Sequence, residues 1–231
     1  MARVLIIGDL HCPAMLPKYP AFLRDTYDAW ECDRVVAIGD IVDNCALSFH
    51  LKKPHLKDPV REYKKAKRQV KKVVDLFEGI PVDLMLGNHD VLPYRWATEV
   101  GIPEEMLAKF ADVWDLPDNW TVHKRYAQHI IDDVIYQHGD RGKGGRLAAS
   151  NNAKAEFKSV VQGHFHAQAG IEFTVNASAR IFGLQVGCGT DWKHMAMEYG
   201  VRYNQKPVIG CGVVLDGHTP IFEPMLMGHG G

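Results

Sequence analysis

The 231-residue sequence predicts an α/β fold, and two observations predict it. Short β-rich apolar runs alternate with amphipathic helical stretches in its first part. Each of those runs also ends in a glycine followed by Asp or Asn, as expected where a parallel strand hands over to a loop. Val4–Ile7 is the first run, closed by Gly8-Asp9. Pro20 to Trp30 reads as a helix with Phe22, Leu23, Tyr27 and Trp30 along one side. Val35–Ile38 follows, closed by Gly39-Asp40. Asp58-Pro59 is a good helix start, because proline tolerates the first helical position. Val60, Tyr63, Val70, Val73, Val74 and Phe77 then recur at helical spacing. Val82–Leu86 is the third run, closed by Gly87-Asn88. This β-α-β-α-β order requires parallel strands joined by helical crossovers.

Further along, Val91 to Asp118 reads as short helices broken by Pro93, Pro103 and Pro117. Ile130–Tyr136 and Ser159–Val161 read as strands, with a helix near Arg146–Phe157 between them. Glycines and β-branched residues from Ile171 to Phe222 predict meandering strands. No repeat, low-complexity tract or linker interrupts the chain. The simplest reading is one α/β domain over residues 1–231 whose C-terminal third supplies a second sheet.

Composition narrows the function. The formal net charge is −1, so attraction to an anionic partner must come from local patches or from metal. No apolar run approaches the roughly 20 residues that span a bilayer. Val4–Ile7 is too short for a signal-peptide core and runs into charged Asp9, so a cytoplasmic protein is expected. Cys12, Cys32, Cys45, Cys188 and Cys211 form an odd, scattered set without a CxxC pair. That argues against a disulfide framework or a zinc-thiolate site and agrees with a reducing compartment. The 12 histidines are the compositional oddity, since imidazole is the commonest metal ligand.

Polar clusters beside glycines follow the apolar runs. They are Gly8-Asp9-Leu10-His11, Gly39-Asp40-Ile41-Val42-Asp43, Gly87-Asn88-His89-Asp90, His138-Gly139-Asp140 and Gly163-His164-Phe165-His166. Strand carboxyl ends of an open α/β sheet converge on one crevice, so clusters as distant as Asp9 and His166 can meet. Glycine there lets the backbone turn sharply. Asp, His and Asn side chains together suit borderline divalent metals such as Mn, Fe, Zn or Ni. So many ligands exceed the needs of one ion and suit two sharing a carboxylate, about 3.5–4 Å apart.

The ordered series D-x-H, G-D-x-x-D, G-N-H-D, H and G-H-x-H, over residues 8 to 166, resembles the calcineurin-like metallophosphoesterase superfamily. The resemblance implies two mixed β-sheets packed as a sandwich flanked by helices, and a centre of two divalent ions, manganese first. It implies that Asp9, His11 and His166 bind one ion, that Asn88, His138 and His164 bind the other, and that Asp40 bridges them. His89 matches the family's catalytic histidine, with Asp90 beside it, and Asp43 and Asp90 match residues that orient histidines. Two cations bring the pKa of a bound water near neutral. The resulting bridging hydroxide would attack phosphorus in line, while His89 assists the departing oxygen.

Departures from the family's subgroups narrow the substrate. Ser/Thr protein phosphatases follow the second block with Arg-Gly and end the third in Glu, where this chain has Asn44-Cys45 and Asp90. That argues against a phosphoprotein. Cys12-Pro13 replaces the usual glycine after the first block's histidine. His138-Gly139, Ala148-Ala149 and Val160-Val161-Gln162-Gly163-His164 also resemble small single-domain members from phages and bacteria.

Lys57 to Lys72 is rich in Lys and Arg, which reads either as a solvated helical face or as a surface for a phosphate backbone. Its interleaved aromatic, Tyr63, belongs to the apolar stripe, which leaves nothing to stack bases. Arg141 and Lys143, on a glycine-rich loop after His138, are the candidate contacts to substrate phosphate. His50, His55, His123, His129, His194, His218 and His229 read as surface or satisfied core histidines. The expected activity is that of a phosphodiesterase on nucleotides or nucleic acid. A broad-range phosphomonoesterase is the alternative, and a non-catalytic interaction module the third reading.

Overall fold

A computed structural model describes residues 1–49, 54–142, 144–194 and 204–226. Lys143, His50 and His229 lie outside the described residues. The elements in chain order are β1 (Arg3–Ile7), α1 (Tyr19–Ala29), β2 (Arg34–Ala37), α2 (Pro59–Leu76), β3 (Val82–Met85), α3 (Leu92–Glu99) and α4 (Phe110–Trp114). There follow β4 (Trp120–His123), β5 (His129–Ile131), β6 (Val134–Gln137), α5 (Ala148–Glu156), β7 (Ser159–Gln162), β8 (Ala169–Val175), β9 (Arg180–Val186), β10 (Gly210–Leu215) and β11 (Thr219–Pro224). Among the described residues no helix is long and apolar enough to cross a membrane.

The strands form a six-stranded sheet in the order β11-β10-β1-β2-β3-β4 and a five-stranded sheet in the order β5-β6-β7-β9-β8. Both are mixed. β1, β2, β3 and β4 pair in parallel, whereas β10 runs antiparallel to β1 and to β11. In the second sheet β6, β7 and β9 are parallel, with β5 and β8 antiparallel at the edges.

The strand period of two explains why the sheets stack. Leu5, Ile7, Val35, Ala37, Val82 and Leu84 face one way, onto Tyr19, Leu23, Ala66, Val70, Val73 and Phe77 of the helical layer. Val4, Ile6, Val36, Ile38 and Met85 face the other way, onto Val134, Tyr136, Val161, Phe182, Leu184 and Val186 of the second sheet. Strands covered on both sides read as continuous apolar runs, which is why they were plain in the sequence. The far side of the second sheet is covered by α5, where Ala153 meets Ile135 and Val160. Asp58 caps α2 by accepting the Arg61 N–H at 2.9 Å, an arrangement that contributes about 1 kcal/mol.

Two expectations need correction. Ile130–Tyr136 is not one strand but a hairpin of β5 and β6, turning at Asp132 and Asp133 with φ of 46° and 66°. Two left-handed residues make the turn that suits a tight hairpin, and an Asp-Asp pair takes the place that Asn-Gly usually fills. The C-terminal third also does not supply the second sheet by itself. That sheet is built from residues 129–186, and the hairpin β10–β11 returns to the first sheet beside β1.

Candidate metal centre

Each polar cluster leaves the carboxyl end of a strand. Asp9 follows β1, Asp40 follows β2 and Asn88 follows β3 in the first sheet, while His138 follows β6 and His164 follows β7 in the second. The ends meet in a cleft of about 300 Å³ lined by His11, Asp40, Asn88, His89 and the segment His164 to Gln168. The turns are tight. His11, Asp40 and His164 have left-handed φ of 49°, 45° and 68°, a conformation that costs such residues about 1–3 kcal/mol each. Hydrogen bonds hold them there: the N–H groups of Leu10 and His11 donate to the Asp40 carbonyl at 3.1 and 2.8 Å. The His164 N–H donates to Asp9 Oδ2 at 2.9 Å. Glycine at 87 is required, because a Cβ would fall 2.2 Å from Asp40 Oδ1.

The hydrogen bonds fix which imidazole nitrogens carry protons. His138 Nδ1 lies 3.0 Å from the Ile38 carbonyl, which can only accept, so Nδ1 donates. Its Nε2 lone pair then faces Asn88 Oδ1 at 3.1 Å and Asp40 Oδ2 at 3.4 Å. His11 Nδ1 lies 2.9 Å from Asp43 Oδ1, which leaves its Nε2 facing His166 Nε2 at 3.0 Å. His166 Nε2 is in turn 2.9 Å from Asp9 Oδ2. Lone pairs therefore converge where only added protons or cations can sit between them. Three donor groups, Asp9 with His11 and His166, His11 with Asp40 and His89, and Asp40 with His138 and His164, each bring their ligand atoms within 4.8 Å of one another. Buried carboxylate and imidazole donors in this arrangement fit divalent cations.

The titration behaviour has the same origin. Burial would raise the Asp40 carboxyl, yet the charges of His138, His89 and His11 hold it well below the usual carboxylate range. Burial would lower His138, but the Asp40 carboxylate and its hydrogen bond push it up to about 10. His89 is likewise pushed up to about 10, against burial, by its hydrogen bond to Asp43 and the charge on Asp40. Asp90 is pushed up to about 7 by burial and then by Asp40. So much negative charge in one nest calls for positive charge, and without metal His89 and His138 supply it as protons.

A family model for the calcineurin-like phosphoesterases matches residues 2–180. The chain belongs to that family. Among solved structures, it is similar to vacuolar protein sorting 29 from Cryptosporidium parvum, at 14% identity over 92% of this chain and 85% of that one, with a TM-score of 0.46. It is also similar to the phosphoesterase YfcE from E. coli, at 11% identity over 91% and 87%, TM-score 0.44. The nuclease MPE from Pseudomonas putida is a third, at 13% identity over 96% and 87%, TM-score 0.39. No curated protein matches the chain. Family membership and the donor groups together support a metal-dependent phosphoesterase.

The fold brings Asp9, His11, Asp40, Asn88, His89, His138, His164 and His166 together. Asp43 and Asp90 lie behind them. Asp90 accepts the Val42 N–H at 3.1 Å and the Gly87 N–H at 2.9 Å, and it does not line the cleft. Arg141 is exposed and is not among the lining residues either. The Cys12-Pro13 peptide is cis, and the buried Cys12 thiol is pushed up by desolvation, so it does not take part as a thiolate.

Sequence reasoning missed Phe165, Ala167 and Gln168 as lining residues, and it missed a buried amide ladder behind the histidines. Gln162 Oε1 accepts from Gln137 Nε2 at 3.2 Å and from Asn152 Nδ2 at 2.8 Å, while Gln162 Nε2 donates to Gln185 Oε1 at 3.3 Å. Gln185 Nε2 donates to the Gly163 carbonyl. The signal was present in part: Gln137 and Gln162 end apolar runs directly before His138 and Gly163 of the motif, whereas Gln185 lies within its run.

Proposed function

We propose that this phosphoesterase hydrolyses phosphodiesters of nucleotides or nucleic acid. In this reading Asp9, His11 and His166 hold one divalent ion, Asn88, His138 and His164 hold a second, and Asp40 serves both. The observation that carries it is the place of Asp40, whose Oδ2 stands 3.7 Å from His11 Nε2 and 3.4 Å from His138 Nε2, between the two donor groups. The ions, manganese in the first instance, would supply a more acidic water and neutralise charge gathering on phosphate oxygens.

The chain's own residues do the rest. Asp43 keeps the proton on His11 Nδ1, and the Ile38 carbonyl keeps it on His138 Nδ1, so both Nε2 atoms present lone pairs. His89 donates through Nδ1 to the Asp43 carbonyl at 2.7 Å, which fixes its ring at the cleft, where it can protonate or hydrogen-bond the departing oxygen. Asp90 is a positioning residue, since it ties the loops after β2 and β3 together through Val42 and Gly87.

Two features favour a diester over a monoester. Among the described residues lining the cleft none is Lys or Arg, which suits the single charge of a diester better than the double charge of a monoester. Phe165 at the rim offers an apolar face to a second ester group. The exposed basic side of α2 begins close by, since Glu62 accepts from the N–H groups of Cys45 and Ala46 at 2.6 and 2.8 Å. It could guide an extended anion, with Arg141 and Lys143 reaching its more distant phosphates. The odd, scattered set of cysteines agrees with work in a reducing compartment, the cytoplasm.

The test strips the metal, restores Mn²⁺, Ni²⁺ or Zn²⁺ singly, and compares a bis-nitrophenyl diester, a nitrophenyl monoester and labelled DNA. Faster turnover of the diester or the DNA supports the proposal. Faster turnover of the monoester overturns the substrate class, and no turnover with any metal leaves a non-catalytic interaction module.

A further inference from the structure

We propose a second cation site, separate from the cleft, formed by Asp83, His123 and His129 and suited to a zinc-like divalent ion. Asp83 lies on β3, His123 ends β4 and His129 opens β5. Strands β4 and β5 are edge strands of their respective sheets, so the three residues sit where the two sheets' edges come together. Val82 and Leu84 face the helical layer, which turns Asp83 toward the second sheet.

The geometry is that of a donor cluster. Asp83 Oδ1 lies 2.8 Å from His123 Nε2, and Asp83 Oδ2 lies 3.3 Å from His129 Nε2. The two imidazole centroids are 4.5 Å apart with ring planes tilted by 36°, and the ligand atoms all fall within 4.8 Å of one another. A tetrahedral zinc ion with bonds of about 2.0–2.2 Å holds its donors about 3.3–3.6 Å apart, a spacing within the span over which these ligand atoms already lie. Arg34 binds Asp83 Oδ2 at 2.8 Å, which leaves Oδ1 turned toward His123.

A second observation points the same way. His129 Nε2 is buried and has no hydrogen-bond partner, although it is aimed at the carboxylate. A buried imidazole nitrogen without a hydrogen-bond partner, beside a second imidazole and a buried carboxylate, is a donor that a metal would satisfy. Burial, with His123 and Arg34 adding to it against Asp83, lowers His129 and keeps it in the neutral form that ligates metal. Two imidazoles and one carboxylate suit Zn²⁺, Co²⁺ or Ni²⁺, with water completing the shell. Because the ligands come from both sheets, binding would fasten one edge to the other and register as stability. None of the three residues lines the catalytic cleft.

The test measures how many Co²⁺ or Zn²⁺ ions the wild-type chain holds after dialysis, against a His123→Ala/His129→Ala variant. The expected result is one ion fewer per chain in the variant, with phosphoesterase activity retained. Equal stoichiometry overturns the site. Should the variant fail to fold, imidazole nitrogen resonances of His123 and His129 in the wild-type protein decide the matter. They shift on adding stoichiometric Zn²⁺ if the site exists, and stay still if it does not. Neither readout depends on the cleft's activity, so each proposal can fail alone.

Discussion

Asp43 Oδ1 lies 2.9 Å from His11 Nδ1, and both side chains are closed to solvent. The carboxylate thereby dictates which face of the imidazole keeps its lone pair, and the same oxygen is 3.3 Å from His89 Nδ1. Asp43→Ala is expected to weaken retention of the divalent ions about 10–100-fold, because His11 loses its orientation. Metal content after dialysis against a graded chelator measures this. Unchanged retention would mean that His11 is not a ligand.

Asp40→Asn and His89→Asn should separate binding from turnover. Asp40 faces both donor groups, so its loss is expected to abolish activity together with ion binding. His89→Asn is expected to keep the ions and slow turnover by about 10²–10⁴. The slowing should be largest for substrates with poor leaving groups. A uniform effect across leaving groups would argue against proton delivery by His89.

Removal of metal should also be visible without any substrate. Converging imidazole lone pairs and buried carboxylates repel one another in the metal-free chain unless the histidines take up protons. An ion present at about 100 times its Kd is expected to stabilise the fold by about 2.7 kcal/mol. A melting temperature that rises with Mn²⁺ and falls back with chelator is the check.

Gln162→Leu removes the hub of the amide ladder. Gln137 and Asn152 then lose an acceptor and Gln185 loses a donor, all in buried positions. Each stranded polar group costs about 1–3 kcal/mol, and a total loss of about 2–4 kcal/mol is expected after partial relaxation. Denaturant unfolding measures it. A neutral result would mean that water replaces the lost partners.

Cysteine reactivity offers a simple check on burial. Cys12, Cys32, Cys188 and Cys211 are buried, whereas Cys45 is half-buried. In the folded protein a thiol reagent near neutral pH is expected to label Cys45 first, and the other four only after unfolding. Fast labelling of Cys12 would contradict its position under the metal loop.

The parallel strands and their terminal Gly-Asp or Gly-Asn pairs were legible because burial on both faces leaves an unbroken apolar signal. The motif residues were legible for a different reason: Asp9, Asp40, Asn88 and His138, which lead their motifs, each sit two positions past such a run. The β5–β6 hairpin was not, because Ile130 to Tyr136 is apolar across an Asp-Asp pair that looks like a brief interruption. The company of His123 and His129 was hidden as well, since it depends on how the edges of two sheets meet and no local pattern records that.

The hairpin of β10 and β11 carries one last consequence. Strand β1, which delivers Asp9, has residues 210–215 as one of its two neighbours. During synthesis its outer edge must wait, uncovered, until residues 210–215 have left the ribosome. Ring closure on this scale slows folding, and it ties the moment at which Asp9 is first held in place to the arrival of that hairpin.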